Sequence, residues 1–179
     1  MAIKATIFKA ELQISDMDRN YYNSHSLTVA KHPSETNERL MVRILAFAMN
    51  AHENLQFTKG LSTDDEPDLW QRNLTEDIEL WIDLGQLEEK RIRKACNRAA
   101  KVCLYTYQTK SATVWWQQIE NKLNRFNNLQ VIHFPDDISK ELEKFCNRNM
   151  QLQCTIQDGD ILLSDDNNSV YIHPDFWKK

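Results

Sequence analysis

EPDLWQRNLTEDIELWIDLGQ, residues 66–86, is the stretch on which the fold turns. DLWQRNL reads as one strand and IELWIDLG as its partner, broken at TED (75–77), which is turn chemistry. In an antiparallel hairpin, paired residue numbers sum to a constant. A turn centred between Thr75 and Glu76 sets Asp68 opposite Asp83. Opposed residues point to the same face, with β-carbons roughly 5 Å apart. Ile78, Leu80, Ile82 and Leu84 fall on one face of the second strand; Glu79, Trp81, Asp83 and Gly85 fall on the other. A slip of one residue would reverse every assignment.

Two carboxylates that close repel, so they raise one pKa or hold a cation. Their hard oxygens suit Mg²⁺ or Mn²⁺. Such an ion activates its bound water and polarises a phosphoryl group. Spacing alone is satisfied as well by two ordinary polar residues at strand ends.

Upstream, ATIFKAELQISD places Phe8, Leu12 and Ile14 at period two, DMDR (16–19) supplies a turn, and YYNSHSLTVAKH returns. HPSETNERLMVRILAFAMNAHENL then reads as a helix with Ser34 as N-cap. Leu40, Met41, Ile44, Leu45, Ala48 and Ala51 form its apolar stripe. LQFTKGL suggests a short strand and STDDE (62–66) an acidic loop.

Downstream come a helix over LEEKRIRKACNRAAK, the strand VCLYTYQ, a helix starting near Ser111, and the strand LQVIHF. A helix capped by Asp136 or Asp137 follows, then C-terminal strands around turns at DG and DNN. Alternating strands and helices over 78–146 predict parallel pairing there, with antiparallel strands added from both ends of the chain. The fold class is α/β (α+β): a mixed central β-sheet flanked by helices.

The 179 residues suit a single domain with its own core. A net charge of -4 excludes a bulk nucleic-acid binder, so such affinity needs a local basic patch or a bound metal. Cys96, Cys103, Cys146 and Cys154 form no C-x-x-C pair, which points to reduced thiols and a cytoplasmic protein. The first residues carry charge throughout and lack the apolar core of a signal peptide, and ILAFAM is too short to span a bilayer. The five histidines show no metal spacing, and three glycines leave no nucleotide-binding loop.

KHPSETNERLMVR, EPDLW, IELWIDLGQ and EEKRIRKA together resemble the YaeQ family of small bacterial proteins, over essentially the whole chain. That family is similar to the PD-(D/E)XK, or restriction-endonuclease-like, phosphodiesterase superfamily. The resemblance implies a restriction-endonuclease-like core with an added N-terminal β-hairpin and C-terminal strands. Pro67 and Asp68 match the "PD" element and Asp83 the second acid; Glu38 or Glu35 supplies a further acid from the first helix. Where the superfamily carries its lysine this chain has Gly85, followed by Gln86. Either Gln86 orients water, or the cation has moved into the next helix, with Lys94 the first candidate and Lys90 the second.

Two functions follow as expectations. One is a Mg²⁺- or Mn²⁺-dependent phosphodiesterase on nucleic acid: Asp68, Asp83 and Glu38 as metal ligands, Gln86 and Lys94 as catalytic groups. The other is a binding or regulatory module that kept the fold without the chemistry. Lys90, Arg91, Lys94, Arg98 and Lys101 would contact nucleic acid along one helix face, though a solvated face explains the same pattern.

Overall fold

The computed structural model describes residues 4–58 and 65–179. Most of the acidic stretch expected at 62–66 lies outside them. In chain order the elements are β1 (Thr6–Asp16), β2 (Tyr21–Lys31), α1 (Asn37–Asn50), β3 (Leu55–Phe57), β4 (Leu69–Arg72), β5 (Ile78–Leu84), α2 (Glu89–Arg98), β6 (Ala99–Thr106), α3 (Thr109–Leu123), β7 (Leu129–His133), α4 (Asp136–Leu142), β8 (Asn149–Gln157), β9 (Asp160–Ser164), β10 (Ser169–Ile172) and β11 (Asp175–Lys178). The class is mixed α/β, but one central sheet is replaced by two mixed sheets. The chain divides into two compact units, Met1–Met49 with Asp137–Pro174, and Asn50–Asp136 with Asp175–Lys179.

The first unit holds a five-stranded sheet in the order β10-β9-β8-β1-β2. β1 and β2 form the expected hairpin, with Leu12 opposite His25. Its turn is tied by the Asp16 carboxylate, which accepts from the backbone N–H groups of Asp18 and Arg19. Period two is kept: Phe8, Ala10, Leu12 and Ile14 are buried while Lys9, Glu11 and Gln13 face water. β8 runs parallel to β1, a pairing of strands about 140 residues apart that no local pattern announces. The apolar stripe of α1 is buried as its spacing requires. Its cap is Thr36, whose hydroxyl accepts from Arg39 N–H at 3.0 Å, and not Ser34, whose hydroxyl is engaged by His32.

The second unit carries a six-stranded sheet, β11-β7-β6-β5-β4-β3. β5, β6 and β7 are parallel, as the alternation of strands and helices predicts. Leu80 to Leu84 are all buried, so β5 is covered on both faces. Trp81, Ile92, Ala95, Val102, Leu104, Leu123 and Val131 make the core on one side.

Two boundaries differ from expectation. α2 stops at Arg98, because Ala99 is extended and pairs with Ile78 of β5, so Lys101 is a strand residue and not part of the helix. α3 starts at Thr109, two residues before Ser111, after Gln108 in a left-handed conformation. Asp136 caps α3: its carboxylate accepts from Thr109 N–H, and the Thr109 hydroxyl accepts from Asp136 N–H. The last residues add β11 antiparallel to β7.

His133, at the end of β7, is 2% exposed and stacks on Trp177, with ring centroids 4.3 Å apart. Its two ring nitrogens meet the hydroxyls of Thr106 and Thr109. Burial holds its pKa below the usual imidazole range, against the pull of Asp175 and Asp136. An unfolded chain therefore takes up a proton that the folded ring refuses, so stability falls as pH drops below about 6.5. Urea midpoints should decline from pH 7.5 to 5.5, and His133→Gln should flatten that slope.

Candidate functional site

The hairpin register is the one its alternation dictates. Leu69 pairs with Ile82, Trp70 with Trp81 and Gln71 with Leu80, a constant sum that continues to Asp68 opposite Asp83. A bulge after Gln71 absorbs the slack, and the connection is closed by Asn73, whose side chain accepts from the N–H groups of Thr75 and Asp77. Asp68 N–H donates to Ile82 C=O, and the Asp68 carboxylate accepts from Leu84 N–H at 2.9 Å. Its side chain thus continues the strand ladder and fixes its own orientation.

Both carboxylates are buried, Asp68 at 4% and Asp83 at 2% exposure. Asp83 sits at the carboxyl end of β5, where ligand crevices of parallel sheets lie. Trp81, two residues back on the same face, donates its indole N–H to Asp83 Oδ2 at 2.8 Å. Arg91, in the first turn of α2, reaches Asp83 with Nε (3.3 Å) and Nη2 (3.2 Å), and Nη2 also donates to Glu66 C=O. Burial, then the charge of Asp68, push the Asp83 carboxyl above its ordinary range; Arg91 and Trp81 pull the other way and lose.

An acid whose folded pKa is raised adds stability only below its unfolded pKa, near 4, and loses that contribution as pH rises through the folded value. Asp83→Asn should therefore stabilise the protein at pH 7, by about 1 kcal/mol. The gain should shrink toward pH 4 in urea titrations.

The strand ends at Gly85, whose φ of +99° is closed to L side chains in practice. No neighbour crowds a β-carbon there, so the backbone conformation and not space keeps a lysine out. Beyond it a groove of about 550 Å³ is lined by Gln86, Leu87, Glu88, Lys90, Arg91 and Lys94. Gln86 donates to the Ser111 hydroxyl at 2.7 Å.

The sequence model of the "YaeQ protein" family matches residues 1–174. The chain belongs to the YaeQ family. It is 49% identical over 179 residues to "Uncharacterized protein YaeQ" of Escherichia coli (strain K12), covering 100% of this chain and 99% of that one. The crystal structure of the YaeQ protein from Xanthomonas axonopodis pv. citri superposes with a TM-score of 0.95 at 49% identity, over 97% of this chain and 98% of that one. The YaeQ protein from Pseudomonas syringae gives 0.93 at 32% identity, over 98% and 97%.

In this YaeQ-family chain the other site candidates are dispersed. Lys94 holds the Asp65 carboxylate at 3.0 Å, and Arg98 donates to Asp65 C=O and lies over the Trp81 ring. The cation on Asp83 is Arg91, which the sequence placed only among nucleic-acid contacts. One helical turn folded back over a strand end is the signal for it, visible only once α2 is known to start at Glu89. Lys90 is exposed, and Lys101 is exposed on β6. In the other unit, Glu38 is buried near the Ser139 hydroxyl, and Glu35 is committed to Arg39 and Arg43.

Among the described residues no group of three or more His, Cys, Asp or Glu side chains is arranged to hold a metal. Asp68 and Asp83 do supply hard oxygens of the kind that take Mg²⁺ or Mn²⁺ with water and phosphate completing the shell. The donor set fits an ion held that way, not a closed protein cage. No helix among the described residues is long and apolar enough to cross a membrane.

Proposed function

We propose that the Asp68–Asp83 site belongs to a divalent-metal-dependent phosphodiesterase acting on nucleic acid, a variant of the PD-(D/E)XK pattern on a restriction-endonuclease-like core. One observation carries it: two buried carboxylates opposed at the carboxyl end of β5, beside a groove whose lining includes Lys90, Arg91 and Lys94 as well as Glu88. Two abutting buried acids cost stability, and such a cost persists where a function requires it. Asp68 and Asp83 would hold Mg²⁺ or Mn²⁺. When bound, the ion supplies an activated water and a polarised phosphoryl oxygen.

The chain's own residues do the rest. Leu84 N–H fixes Asp68, and the Trp81 indole fixes Asp83. Lys90 and Arg91 offer positive charge to a phosphate in the groove, and Lys94 joins them by exchanging Asp65 for it. Gln86, tethered to Ser111, presents an amide at the groove.

A second function, a binding module without catalysis, is favoured by Gly85, whose backbone refuses the superfamily lysine. Calorimetric titration of Mn²⁺ separates the two. Saturable binding to the wild type, lost in a folded Asp68→Asn/Asp83→Asn variant, supports the enzyme. No binding, with or without a hydrolysis-resistant dinucleotide, overturns it. Nucleic-acid affinity that falls steeply with salt and is lost in Lys94→Glu/Arg98→Glu would then identify the module.

A further inference from the structure

Arg91 brings positive charge to Asp83 and also donates to Glu66 C=O, but its fork on the carboxylate is long. Its contacts to Asp83 are 3.2 and 3.3 Å, longer than the roughly 2.7–2.9 Å of tight guanidinium–carboxylate pairs. The same chain shows what a tight pair looks like: Arg43 meets Glu35 at 2.7 and 2.9 Å with its side chain 3% exposed, whereas that of Arg91 is 24% exposed. Arg91 also lines the groove, beside Lys90 and Lys94. It therefore touches both Asp83 and the space a phosphate would enter.

We infer that Arg91 is an exchangeable counter-ion: it neutralises Asp83 when the site is empty and transfers to a phosphate oxygen when a divalent ion takes its place. This rests on the metal-site function proposed above. With ionised carboxylates, the pair and the guanidinium together carry one negative charge. A divalent ion added there reverses the sign and repels the guanidinium, which can then turn to an anion in the groove it lines. Metal and phosphodiester then bind cooperatively, and the coupling is reciprocal. Metal alone binds weakly because it must displace Arg91; phosphodiester alone binds weakly because Arg91 is engaged.

The test is Mn²⁺ calorimetry on the full chain, with and without dithymidine phosphorothioate, which resists hydrolysis. In the wild type the dinucleotide should tighten Mn²⁺ binding about tenfold, within the usual range of coupling between sites. Arg91→Gln should bind Mn²⁺ more tightly than wild type without dinucleotide and lose the enhancement. Arg91→Lys, which keeps the charge but not the fork, should retain part of it and serves if Arg91→Gln does not fold. Mn²⁺ binding that ignores the dinucleotide, or an enhancement undiminished in both variants, overturns the exchange while leaving the metal site standing. No Mn²⁺ binding in any form overturns the metal site, and the exchange with it.

Discussion

Trp81→Ala is expected to destabilise the protein by about 3–5 kcal/mol, the usual range for deleting a buried aromatic side chain. Trp81 is 2% exposed and belongs to the core that joins β5, α2, β6, α3 and β7. Its ring meets Trp70 edge-on with centroids 6.3 Å apart and carries Arg98 at 5.1 Å. Alanine leaves a cavity under α2 and takes the indole donor from Asp83. Trp81→Phe keeps most of the volume and removes the donor with a smaller part of the packing, at about 1–2 kcal/mol. Urea unfolding followed by far-ultraviolet circular dichroism measures both. Equal losses in the two variants would mean that the hydrogen bond, not the packing, makes Trp81 important.

Arg43→Met should cost about 3 kcal/mol or more, because it strands the Glu35 carboxylate among buried groups. The Glu35 side chain is 1% exposed and accepts from Arg43 Nη2 and Nε and from Arg39 Nη1. Arg43 also donates to Ala30 C=O, tying α1 to β2. Arg39 stays behind in the single variant, which keeps the loss near the lower end of the range for broken buried pairs. The double variant Arg43→Met/Glu35→Leu should recover part of the loss, since it removes the buried carboxylate together with Arg43, although Arg39, 12% exposed, then gives up its bond to Glu35. A double variant less stable than the single one would show that the pair is net stabilising and not merely self-compensating.

The candidate site was legible in proportion to how local its determinants are. Register follows from a period of two and from turn chemistry, both confined to residues 66–86, so the sequence alone sets Asp68 opposite Asp83. Trp81 shares a face with Asp83 by the same alternation. Arg91 was not assignable in this way: its reach to Asp83 depends on where α2 begins and how the helix returns over the strand. Lys94 has the same charge and a similar distance along the chain, yet the packed helix turns it toward Asp65. Ser34 is the better cap by residue type, but α1 begins at Asn37, which puts Thr36 and not Ser34 at the capping position.

By itself the sequence determined the short-range elements: the first hairpin, the acidic hairpin, the apolar stripe of α1 and the parallel succession of β5, β6 and β7. Periodicity and turn residues act within one or two elements, where chain entropy leaves few competing solutions. Tertiary structure alone decided that there are two sheets, that β8 lies parallel to β1, and that β11 closes the second sheet on β7. Those pairings join segments far apart in sequence, and their free energy lies in burial and charge compensation that exist only once the chain has packed.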